Sequence, residues 1–297
     1  MIYISEINIT SLLVYAINNM LSNMLSSINE NVLDLLDKLA FINSDITKSL
    51  TSVIGTHPYS GINLICNSLI YGFLIYYAIS FLLSHLTFSQ VENPIQFVFK
   101  LLLCAFALNA SHMICSGLIF ICSHISSMIL DLGDFLFGYD ISFSSFIKDI
   151  LPNDYFTSNS FSLFSFDGLI NATTSFGFLS LTISYAIRYI LIKVLVIIAP
   201  FAILSLSSSK TSPFFKSWLK NFIATLFLQI FISIILLVCF IVDDRDKILP
   251  SQIMHIGMIY TLIKANSFMK EFLGGFSTDV NLSFPSISSI FKGGVFK

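Results

Sequence analysis

The stretch YAIRYILIKVLVIIAPFAILSLSSSKTSPFFKSWLKNFIATLFLQIFISIIL (185–236) decides how the chain is read. It holds most of two apolar runs, within Phe176–Leu206 and at about Phe222–Val242, on either side of a short basic segment. Each run reaches the ~20 residues that cross a bilayer. The first is compromised by Arg188 and Lys193. An ionised side chain at a helix centre costs about 2.5–3.5 kcal/mol, and each Leu, Ile, Val or Phe returns only about 0.3–0.6 kcal/mol. The sixteen such residues from Phe178 to Leu204 therefore about balance two central charges. This span is expected to need neighbouring helices, water, or a register in which Lys193 reaches the membrane surface. Tyr185, Arg188 and Tyr189 share one helix face, and Lys193 follows four residues later. The stripe is expected to line a lumen or a subunit interface, unless Arg188 pairs locally and Lys193 marks the cytoplasmic end.

The rest of the chain agrees with a membrane solvent. Of 297 residues, 55% are hydrophobic and 11% charged, with net charge −2, and the mean hydropathy is +0.85. Soluble domains carry about 25% charged residues. Near-neutral charge excludes a general basic surface for nucleic acid. The first residues, MIYISEINIT, form no secretory signal, so insertion is expected to be directed from within. The expected class is all-α, a polytopic helical membrane protein with about five transmembrane helices and an N-terminal amphipathic helix.

Region 1–60 is read as an extracytoplasmic amphipathic segment. Apolar residues recur with helical spacing from Ile9 to Leu39, opposite Asn18, Asn23, Glu30, Asp34 and Asp37. It carries few bases, so packing against other helices suits it better than anionic lipid. GTHPYSG (55–61) reads as a turn. Region 61–122 is expected to hold spans at about Ile62–Leu83 and Ile95–Ile119, and 123–175 an extracytoplasmic loop rich in Asp, Ser and Phe. Region 176–264 is expected to hold spans three to five, the fourth apolar except for Gln229, with a basic cytoplasmic loop at 205–221. The fifth span, about Ile248–Ile263, is short, and 265–297 is expected to be a cytoplasmic tail.

Charge orients this arrangement. Segments 1–61, 123–175 and 243–247 hold five bases against fourteen acids, and segments 85–100, 205–221 and 264–297 hold eight bases against three acids. The positive-inside rule makes the second set cytoplasmic. Lys210, Lys216 and Lys220, with Trp218 among them, mark the densest basic surface and are expected to anchor the membrane edge or meet cytoplasmic partners.

No catalytic or cofactor motif is present, whether GxSxG, HExxH, Walker A or GxGxxG. The chain is read as non-enzymatic and cofactor-free. His112, Cys115, Cys122 and His124 match no zinc spacing, and Asp243, Asp244 and Asp246 read as a solvated turn. The five cysteines lie in or beside apolar runs and read as small buried side chains.

Residues 185–236 resemble the core of the TrbL family, the VirB-type polytopic channel proteins of conjugative and other type IV secretion systems. The resemblance rests on Arg188 and Lys193, Ala199-Pro200-Phe201, Thr211, Phe214-Phe215-Lys216-Ser217-Trp218-Leu219 and the apolar run from Phe222. It covers about 50 residues; the short fifth span and short tail depart from many relatives. It implies an inner-membrane channel or scaffold subunit in a homo-oligomeric ring, among membrane lipid. Pilin-type and other channel subunits and cytoplasmic secretion ATPases would be its partners, and DNA or protein only a transported substrate. On that reading the N-terminal helix packs near the outer mouth and Trp218 anchors at the interface. The rival readings are a small-solute transporter or ion channel, a holin-like protein, and a sporulation channel subunit.

Overall fold

The computed structural model describes residues 15–16, 18–20, 23, 35–42, 45–55, 59–87, 93–138, 140–150, 166–208, 211–245 and 251–273. Among them there is helix and no strand. Short helices at 35–40 (α1), Asp45–Lys48 (α2) and Thr51–Ile54 (α3) precede the long ones. These are Gly61–Thr87 (α4), Pro94–Asn109 (α5), Ser111–Phe137 (α6), Phe166–Leu204 (α8), Ser212–Arg245 (α9) and Ser251–Leu273 (α10), with the short Phe143–Ile150 (α7) after α6. Segments Gly61–Leu86, Ser111–Phe137, Ala172–Ser207 and Ser212–Ile241 are long and apolar enough to cross a bilayer. The chain is an all-α, multi-pass membrane protein.

Several boundaries differ from the sequence reading, for identifiable reasons. The second expected span, Ile95–Ile119, is divided at Ala110 (φ −87°, ψ 0°). The Asn109 side chain donates to the Ala105 carbonyl at 2.8 Å and meets Asn67 of α4, competing with the backbone ladder at that point. Helix α6 then runs into the first part of the expected loop at 123–175 and stops at Gly138, whose left-handed backbone (φ 77°) suits glycine. The Asp134 carboxylate accepts the Ile141 N–H at 2.6 Å, so this acid closes the helix end instead of ending the span early. At 205–221 a single 3₁₀ turn, Ser205–Ser207, precedes α9, which begins at Ser212. Lys216, Trp218 and Lys220 therefore stand on helix, not loop. The fifth expected span falls on α10, a helix of 23 residues outside the four segments above. Most of the expected amphipathic helix at 9–40, part of 123–175 and the tail beyond 273 lie outside the described residues.

Three apolar clusters run along α8. Phe178, Leu181 and Tyr185 pack with Leu228–Phe240 of α9, with Ile259 and Leu262 of α10 and with Phe143 and Phe146 of α7. Ile192–Ala202 pack with Cys115, Ile119 and Cys122 of α6 and with Trp218 and Phe222 of α9. Ile203 and Leu204, at the end of α8, meet Cys66, Ile70, Phe97, Leu101 and Leu108 from the α4–α5 hairpin. The order of these contacts makes α6 and α9 run together, with α8 opposed. The α8–α9 hairpin is thus the centre of the molecule.

The main departure concerns the N-terminal segment. Leu36 and Ala40 belong to the first cluster, and Ile42, Ile46, Leu50 and Ile54 to the second. Residues 35–42 and 45–55 therefore lay one face lengthwise against the helical bundle, with Lys38, Lys48, Ser49, Ser52 and Val53 exposed on the other. The segment leaves through Gly55 (φ 94°), where any Cβ would collide with the Ser60 carbonyl, so only glycine fits.

Candidate functional site: a polar clamp at mid-membrane

The helix at 35–40 ends at Phe41–Ile42, and two residues at membrane depth hold that break. Arg188 stands at the middle of Ala172–Ser207, and Gln229 near the middle of Ser212–Ile241. Irregular backbone survives at such depth only when protein satisfies its polar groups. The Arg188 Nη1 donates to the Ala40 carbonyl at 2.9 Å, and its Nε to the Thr225 carbonyl at 3.1 Å. The Ile42 N–H donates to Gln229 Oε1 at 3.2 Å, and Gln229 Nε2 returns a bond to the Ile42 carbonyl at 3.4 Å. Arg188 is 0% exposed. Its charge meets the carbonyl end of α1, where the helix dipole is negative, in place of a carboxylate. Nη2 of Arg188 and the Tyr185 hydroxyl are buried with no hydrogen-bond partner among the described residues.

Further contacts hold the segment at both ends. The Asp37 carboxylate accepts the backbone N–H groups of Phe143 at 2.9 Å and Ser144 at 3.2 Å, and the Ser144 hydroxyl at 2.7 Å. An acid on α1 thus caps the N-terminus of α7, with a charge of favourable sign. Toward the other end, His112 Nε2 lies 3.3 Å from the Thr47 carbonyl and 3.4 Å from Thr51 Oγ1. Ser126 of α6 and Ser233 of α9 share a short hydrogen bond between these points.

The expected stripe is divided. Tyr185 and Arg188 are wholly buried, Tyr185 lying edge-on to Phe143 at 5.9 Å. They face the N-terminal segment of their own chain, not an open lumen. Tyr189 and Lys193 are half-buried, with Lys193 Nζ 4.7 Å from the Tyr189 ring centre. Pro200 is buried inside α8 near its end. Trp218 does not reach outward to the membrane edge: its Nε1 donates to the Leu195 carbonyl at 2.9 Å and its ring stacks on Phe222 at 5.4 Å. Lys216 and Lys220 are exposed, and Lys210 lies outside the described residues.

Gln229 and Asp37 are site residues that the sequence reading did not assign. Gln229 carried a signal, being the one carboxamide in a span with no charged residue. Asp37 carried none, because an acid on the polar face of an amphipathic helix reads as solvated. Among the described residues no group of three His, Cys, Asp or Glu is placed to hold a metal ion. Comparison of the chain with protein-family models, with curated proteins and with solved structures gives no match.

Proposed function

We propose that this chain is a channel or scaffold subunit of a type IV secretion system, a ring-forming protein of a bacterial inner membrane that helps DNA or protein across. The observation that carries the reading is the place of residues 185–236, the stretch that resembles the TrbL core. They form the α8–α9 hairpin on which α6, α10 and the N-terminal segment all pack. The orientation rests on the charges at the two ends of the α8–α9 hairpin: the end of the bundle bearing Lys216 and Lys220 faces the cytoplasm, and the end bearing Asp140, Asp243 and Asp244 faces out, which brings Ile46–Ile54, expected outside, toward the cytoplasmic end. The subunit performs no chemistry, and secretion ATPases supply the energy. Deleting the gene in its host and assaying substrate transfer tests this. Loss of transfer restored by the intact chain, with pilin-type subunits and ATPases co-purifying, supports the role. Undiminished transfer removes it.

One observation favours a second reading, a small-solute carrier. The α1 helix breaks at mid-membrane beside an arginine, and discontinuous helices at that depth are where carriers place substrate sites. Uptake of solutes into liposomes by the purified chain would select this reading over secretion.

A further inference from the structure

The clamp uses only part of Arg188. Nε and Nη1 donate to the Thr225 and Ala40 carbonyls, while Nη2 is buried and bonded to nothing among the described residues. The Tyr185 hydroxyl is in the same position. The two residues are 0% and 2% exposed. They stand one turn apart on the buried face of α8. Helical side chains lean back toward the preceding turn, which carries Arg188 toward Tyr185. The two groups lie close enough to interact electrostatically. Buried polar groups are normally paired, so two orphans side by side point to a ligand.

The chemistry of the pair selects that ligand. Nη2 carries N–H donors and no acceptor, and the phenol O–H can turn to donate alongside it. The guanidinium keeps its charge when buried. Its bonded partners among the described residues are neutral carbonyls. Asp37, one turn before Ala40, is engaged by the Phe143 and Ser144 N–H groups. A buried charge is stable when it is paired. Water would serve the donors and leave the charge, and a cation would be repelled by it. A monovalent anion serves both. Phe143, Leu181 and Ile232 surround Tyr185 with apolar surface. Such surroundings favour an anion that sheds its water readily, a halide over a phosphate.

We propose that Arg188 and Tyr185 hold a halide ion, chloride in the cell, inside the bundle at mid-membrane. The ion is a fixed counter-charge beside the clamp, and the site is independent of any role in secretion.

Equilibrium binding of radioactive chloride to the purified full chain in nanodiscs tests the site. The expected result is saturable binding of a single ion per chain, displaced by bromide and not by gluconate, which is too large to enter. Tyr185→Phe keeps the ring against Phe143 and removes the hydroxyl; it should weaken chloride at least about tenfold. Arg188→Leu should abolish binding. Trp218→Phe, away from the pair, should bind chloride as the natural chain does. No saturable binding in the natural chain overturns the site and leaves a buried water as the partner. Undiminished binding in both Tyr185→Phe and Arg188→Leu places the ion elsewhere and overturns it too. Equal loss in all three variants reports stability, not contact, and overturns the assignment to this pair.

Discussion

Replacing Arg188 by leucine removes the donor to the Ala40 carbonyl and leaves a shorter, apolar side chain at mid-membrane. The Thr225 carbonyl also loses a bond, but it lies inside α9, where the helix ladder serves it. The Ala40 carbonyl stands at the end of α1. Leaving such a buried acceptor unsatisfied costs about 1–3 kcal/mol. A central value of about 2 kcal/mol is a roughly 30-fold weaker seating of the N-terminal segment. The substitution also removes a charge that costs about 2.5–3.5 kcal/mol to insert. That gain applies to α8 whether or not the segment is seated, so it cancels from the seating equilibrium, and the variant should insert at least as well. Hydrogen exchange on the protein in nanodiscs reads the effect directly. Peptides covering 36–46 include the Ile42 N–H held by Gln229. They should exchange roughly 30-fold faster in Arg188→Leu, with peptides from α9 unchanged. Arg188→Lys keeps the charge but loses the two-pronged geometry, and should fall between. Unchanged protection of 36–46 in the leucine variant would refute the clamp.

Gln229→Leu removes both bonds to the Ile42 backbone; it should cost about 1–3 kcal/mol and lower the thermal unfolding midpoint in detergent. Trp218→Phe loses the bond to the Leu195 carbonyl but keeps an aromatic face for Phe222. The expected loss is about 1 kcal/mol with insertion unaffected, measured by thermal unfolding. Asp37→Ala frees the Phe143 and Ser144 N–H groups. It should destabilise the α1–α7 contact by about 1–2 kcal/mol, seen as faster limited proteolysis within 138–150 while α8 and α9 stay protected.

The membrane class and the α8–α9 hairpin were legible because the signal is local and strong: two long apolar runs separated by a basic turn. Arg188 was legible as a problem, since an arginine at a span centre requires partners. Its partners were not legible. They are backbone carbonyls of Ala40 and Thr225, and carbonyls leave no trace in side-chain sequence. The same blindness left open what the N-terminal segment packs against. Helical periodicity from Ile9 to Leu39 shows an apolar face but not whether it meets the outside of the bundle or its core. The break at Ala110 was hidden because Asn109 acts through its own backbone and through Asn67, far away in sequence. Trp218 misled for a related reason: a lone tryptophan beside lysines fits a membrane edge, yet its N–H finds the Leu195 carbonyl across the hairpin.

The seating of residues 35–42 and 45–55 against the bundle is tested most directly by cross-linking Thr51→Cys to His112→Cys in native membranes with a short bifunctional thiol reagent. The side chains at these positions approach to 3.4 Å, on segments that the sequence reading places in the extracytoplasmic N-terminal region and in the second span. The expected result is an efficient intramolecular link, reduced in Arg188→Leu. Failure to link, with position 51 freely labelled by a membrane-impermeant maleimide, would place the segment on the surface and contradict the clamp.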